Sequence, residues 1–136
     1  MKPRISFITL TVDNLEQAVA FYRDGLGWPT EGIIGEQYEN GAAAFFKLEN
    51  NLMFALWPRQ SLANDSGLPV GKAEPTHVLL AHNVDSEAAV DAVLYEAKAA
   101  GASWVKLAQT TSWGGYAGYF MDPEKHLWEV VYNPYI

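Results

Sequence analysis

Residues 5–27 read ISFITLTVDNLEQAVAFYRDGLG, and the order of residue types in this stretch sets the fold. Ile5 to Val12 are mostly apolar and β-branched, which favours a strand. Asp13 or Asn14 then offers a side-chain oxygen to a helix N-terminus. Leu15, Val19, Tyr22 and Leu26 recur at helical spacing, and Gly25 and Gly27 stop the run. Working outward, WPTEGIIGEQYENG gives a weak strand and a turn, AAAFFKL a strand, ENN at 49–51 a turn and LMFALW a strand. Residues 58–74, PRQSLANDSGLPVGKAE, hold no sustained period and read as a linker. The order then returns. THVLLAHNV is a strand, and SEAAVDAVLYEAKAAG is a helix with Ser86 as N-cap, an apolar stripe of Val90, Val93, Leu94 and Ala97, and Gly101 at its stop. SWVKLAQTT, GGYAGYFMD and HLWEVVY supply three more strands. The expected fold class is α+β, with two tandem βαβββ modules at about 4–57 and about 75–134 that form a curled mixed sheet around a central cleft.

Bulk composition narrows the function. Hydrophobic residues make up 49% and charged residues 18% of the 136, the profile of a folded soluble chain of one domain's length. The net charge of −7, with nine scattered Lys and Arg, repels a phosphate backbone, so no nucleic-acid partner is expected. The absence of cysteine excludes disulfide frameworks, thiolate metal sites and cysteine nucleophiles. No apolar stretch reaches the ~18 residues of a membrane span, and the MKPR start lacks a signal-peptide core, so a cytoplasmic protein with no membrane partner is expected. There is no G-x-S-x-G, P-loop or dinucleotide fingerprint to support serine hydrolysis or nucleotide transfer.

The duplicated module, the opening FITLTVDNLEQAVAFYRDGLGW and the ending YFMDPEKHLWEVVYNP together resemble the vicinal oxygen chelate superfamily, which includes glyoxalase I, bleomycin-resistance proteins, fosfomycin-resistance thiol transferases and extradiol dioxygenases. The most specific part is the D-P-x-x-x-x-W-E ending at Asp122, Pro123, Trp128 and Glu129. The resemblance implies a divalent metal such as Zn, Ni, Mn or Fe, held by side chains of the first and last strands of each module. Imidazole and oxygen ligands suit these ions and leave an open position for substrate oxygens. Pairing the modules puts His77 and Glu129 in two of the four ligand positions and Phe7 and Phe54 in the other two. A phenyl ring offers no lone pair to a hard cation, so the site reads as degenerate and the cofactor expectation is none, or a divalent metal on His77 and Glu129. Matching Val84 to Val12 instead moves the His77 position to Leu79. His77 bonded to a backbone carbonyl, or Glu129 in a salt bridge, are the structural alternatives.

Glu129 stands in the apolar run HLWEVVY, sharing a strand face with Leu127 and Val131. In a cleft it is the candidate catalytic acid or base, or else the group that binds a cationic or hydroxylated ligand. The segment SWGGYAGYF at 112–120 interleaves glycines with aromatics, and Trp113 and Tyr116 are its ligand-stacking candidates, with Trp57 and Arg59 closing the same cleft. His82, of opposite parity to His77, reads as structural. The leading expectation is a protein that binds a small apolar or aromatic molecule between Phe7, Phe54, Trp57, Trp113 and Tyr116. The alternative is a lyase, isomerase or dioxygenase acting on vicinal oxygens, through a divalent metal or with Glu129 as base. A plain interaction domain with a filled cleft is the third. The resemblance also implies a homodimer.

Overall fold

A computed structural model describes all 136 residues, which divide into two units, Met1–Lys72 and Ala73–Ile136. In the first, β1 (Phe7–Val12) is the expected strand. Asn14 caps α1 (Leu15–Ala20), its side chain accepting the Gln17 N–H at 3.0 Å, and the helix widens into a π turn over Phe21–Gly25. β2 (Ile33–Ile34), β3 (Ala43–Lys47) and β4 (Met53–Pro58) complete a sheet of order β1-β4-β3-β2, in which β1 and β4 run parallel. The ENN turn between β3 and β4 is a 3-10 turn, with Asn50 and Asn51 both at φ 62°. Asparagine tolerates this left-handed geometry better than most residues.

The linker expectation needs correction, because Arg59–Ser66 forms a helix, α2. None of its residues is buried. Pro58 precedes it, Gly67 ends it at φ 77°, and Arg59–Asp13 and Asn64–Asn40 bonds tie it down at 3.1 Å. A helix held by polar bonds carries no apolar stripe, and its sequence shows no period.

The second unit runs β5 (Leu79–Val84), α3 (Glu87–Ala100), β6 (Trp104–Thr110), β7 (Tyr116–Met121) and β8 (Leu127–Tyr132), with sheet order β5-β8-β7-β6 and β5 parallel to β8. Ser86 caps α3, accepting the Ala89 N–H at 3.0 Å, and Gly101 closes it at φ 110°. The fold is α+β with two tandem modules, and its strands form two four-stranded ladders rather than one sheet.

Each sheet has a covered face and an open one. In unit one Phe46, Phe54 and Leu56 are buried, and Phe46 and Phe54 pack with Tyr22 and Trp28 at ring separations of 5.0–6.3 Å. In unit two Val90, Leu94 and Ala97 of α3 are buried, as are Phe120, Trp128 and Val130 of the sheet. Phe120 and Trp128 stack at 5.9 Å. Burying each large side chain contributes about 1.5–3 kcal/mol, so these clusters fix which face of each sheet stays open.

Candidate ligand-binding site

Strand pairing assigns the open faces. In unit one Phe7 pairs with Met53 and Phe45 with Ala55, so side-chain alternation puts Phe7, Phe45, Lys47, Met53, Ala55 and Trp57 on one face. Phe7 and Phe45 meet edge to face at 6.4 Å and are 54% and 38% exposed, a large aromatic area left to solvent. Beside Phe45 lies a recess of about 490 Å³ lined by Pro29, Ile34, Phe45 and Met53, with Glu31 and Lys47 as its charged groups. Its wall is fixed: Thr30 Oγ1 donates to the Phe45 carbonyl at 2.6 Å and accepts the Gly32 N–H at 3.2 Å, while Gly32 takes φ 87°. Trp57 is anchored by its Nε1 donating to the Asn40 carbonyl at 2.9 Å.

Phe54 does not belong to this face. It is 1% exposed and packs against Tyr22 and Trp28, so its assignment as a ligand contact is corrected to core. The physical cause is parity, since Phe54 lies one residue from Met53 and Ala55 and a strand turns successive side chains to opposite faces.

In unit two the register sets Glu129 between Ala81 and Tyr119. The Tyr119 hydroxyl donates to Glu129 Oε2 at 3.1 Å, and Lys106 Nζ stands 5.8 Å from the centre of the Tyr119 ring. Burial pushes the Tyr119 phenol above its ordinary value, and the hydrogen bond to Glu129 and that residue's charge push it further. Glu129 therefore accepts a phenol rather than forming the salt bridge open in the sequence. Tyr119 was legible in principle: the hairpin between β7 and β8 sets it opposite Glu129.

His77 is exposed in the turn before β5, which begins at Leu79. Ala81, not His77, flanks Glu129, and Leu79 aligns with Phe7 as the first residue of its strand. This corrects the metal pair of His77 and Glu129 in favour of the Leu79 register. Tyr116 departs from expectation as well. Its hydroxyl donates to Asp91 of α3 at 2.9 Å, which places it on the helix side of the sheet, opposite Glu129. Trp113 lies in the turn before β7, 47% exposed, with its ring over Gly115, where an added Cβ would clash. Arg59 is held by Asp13 rather than presented to an anion. The Asp122 of the D-P-x-x-x-x-W-E ending is fully buried. Its Oδ1 accepts the Glu124 and His126 N–H groups, both at 2.9 Å, and its Oδ2 lies 2.8 Å from His126 Nδ1, so this residue builds the hairpin that delivers Glu129.

A family model described as the glyoxalase/bleomycin resistance protein/dioxygenase superfamily matches residues 4–130. The chain belongs to this superfamily. No curated protein matches it. Among solved structures, a glyoxalase-related enzyme from Fulvimarina pelagi is 32% identical with a TM-score of 0.82, over 97% of this chain and 89% of that one. A lactoylglutathione lyase from Agrobacterium tumefaciens is 24% identical at a TM-score of 0.70, over 98% of this chain and 96% of that one. A point mutant of the fosfomycin resistance protein FosX from Listeria monocytogenes, complexed with Mn(II) and 1S,2S-dihydroxypropylphosphonic acid, is 23% identical at a TM-score of 0.66, over 96% of this chain and 90% of that one. The last two share the fold alone.

The donor set of this superfamily member does not fit the metal that the resemblance implies. Glu129 is the third residue of β8 and faces the third residue of β5; the matching position in unit one is Ala55 of β4, facing Thr9. The four positions are thus Phe7, Ala55, Leu79 and Glu129, a single carboxylate where three or more protein ligands are needed to hold a transition metal tightly. No group of three or more His, Cys, Asp or Glu is placed to hold a metal ion.

Proposed function

We propose that this superfamily member binds a small planar aromatic molecule on the open face of its first sheet. The observation that carries the reading is the recess of about 490 Å³ beside Phe45, within the ~300–1,000 Å³ range of ligand pockets, with an apolar lining and the two charged groups Glu31 and Lys47. Phe7 and Phe45 offer ring edges and faces to an aromatic plane, and Lys47 gives an aromatic acid an ion pair. Trp57 extends the same face. Calorimetric titration with 2-naphthoate, beside neutral naphthalene derivatives, tests it. Saturable binding weakened about tenfold by Phe45→Ala is expected. Absence of saturable binding across the panel sinks the reading.

One observation favours a second reading. The Tyr119–Glu129 hydrogen bond pairs a phenol with a carboxylate on the open face, with Lys106 beside them, an arrangement suited to moving a proton without a metal. In that reading Glu129 takes a proton from carbon beside a carbonyl, and Tyr119 steadies the carboxylate. Solvent deuterium entering dihydroxyacetone with wild-type protein, and not with Glu129→Gln, is its expected signature. The protein is further read as a homodimer, supported by the unpaired outer edges of its sheets and testable by light scattering on the purified chain.

A further inference from the structure

The second unit has another recess, on the helix side of its sheet. It is a groove of about 590 Å³ between α3 and the edge strand β6, with Leu94, Val105, Leu107 and Ala108 as apolar lining. A β-bulge builds it. Pairing of β6 with β7 slips between Lys106 and Gln109, and Leu107 is left 77% exposed. Bulges re-aim side chains in this way. The bulged backbone sits against Gly118, where an added Cβ would come within 2.8 Å of the Lys106 carbonyl oxygen and 2.9 Å of the Ala108 nitrogen. Only glycine allows that approach.

Charge is separated along the groove. Asp91 lines one part of it beside Tyr116, whose hydroxyl engages Asp91 Oδ1 and leaves Oδ2 for another donor. Glu87, one helical turn earlier, adds negative potential there, and the Tyr116 phenol is held above its ordinary value first by the hydrogen bond to Asp91, then by burial and by the charges of Asp91 and Glu87. Lys98 lies two turns beyond Asp91, about 10 Å along the helix at 1.5 Å per residue, and its side chain has no ion-pair partner. Tyr95, 78% exposed, lines the groove between them.

We propose that this groove binds an elongated zwitterion, its ammonium group at Asp91 and Tyr116, its carboxylate at Lys98, and an apolar stem of about 10 Å along Leu94, Val105 and Ala108. An acid next to an aromatic ring favours the cationic end, and the lone lysine the anionic end. The site is independent of the open face of the first sheet and of Glu129.

Titration of isotope-labelled protein with 8-aminooctanoate, followed by amide chemical shifts, tests the proposal against octylamine, octanoate and 4-aminobutyrate. Shifts centred on residues 91–99, 105–108 and 116 are expected. Both single-charge ligands and the short zwitterion should bind about fivefold more weakly, the scale of one exposed ion pair, and Lys98→Gln should erase the advantage over octylamine. Unmoved amides in these segments, shifts confined to the first unit, or octylamine binding as well as the zwitterion would each overturn it.

Discussion

Tyr119 couples the second sheet's open face to pH. Its phenol is raised from 10.0, first by burial and then by the Glu129 hydrogen bond and charge, so the folded chain keeps that proton at pH values where the unfolded chain has lost it. Stability from this source is whole below the unfolded value and is lost as pH climbs through the folded one. Tyr116, raised by its bond to Asp91, adds to the same alkaline limb. Urea midpoints measured from neutral pH upward should therefore fall beyond about pH 10, and Tyr119→Phe should flatten part of the fall. An identical alkaline slope in the variant would mean that neither burial nor the Glu129 bond raises Tyr119 in solution. Parity decides the rest at this scale. Phe45 and Phe54 have the same side chain, yet one is left half in solvent and the other is sealed against Tyr22 and Trp28.

At the scale of the element, the β7–β8 hairpin shows how a motif builds a site without touching a ligand. Asp122 accepts two backbone N–H groups and meets His126, which frees the loop to turn at Lys125, φ 69°, and fixes the register that sets Glu129 beside Tyr119. Removing the carboxylate leaves buried donors unpaired, so Asp122→Ala should cost about 3 kcal/mol in denaturant unfolding. Asp122→Asn keeps an acceptor oxygen and should lose distinctly less. Equal losses in the two variants would show that the His126 contact, rather than the two amides, carries the effect. Helix α2 is the contrasting element. Its capping by Pro58 and Gly67 and its polar ties to Asp13 and Asn40 leave no apolar signature, which is why 58–74 reads as a linker.

For the whole molecule, the ligand positions of the two modules together decide metal dependence. Phe7 and Ala55 stand at these positions in the first unit and Leu79 and Glu129 in the second, and one carboxylate among four residues is too small a donor set to couple transition-metal binding to folding. Exhaustive treatment with a chelator should leave Tm unchanged, and elemental analysis should find no stoichiometric metal. A chelator-induced fall in Tm, restored by Ni or Mn, would overturn the donor argument and return the protein to the metal-dependent reading.

The sequence by itself determined the repeated strand–helix–strand order, a first cap at Asp13 or Asn14, of which the structure uses Asn14, the cap at Ser86, the turn at 49–51 and the family carried by the two ends of the chain, because each rests on local propensity, period or motif. It also set Glu129 among aliphatics. Only tertiary structure decided that β5 starts at Leu79, that Phe54 is core, that Tyr116 serves the helix side, and that Phe45 and Lys47 hold the open face of the first sheet. Side-chain period two makes a one-residue uncertainty in register a change of face, and register is set by which strand lies alongside, which no local stretch records.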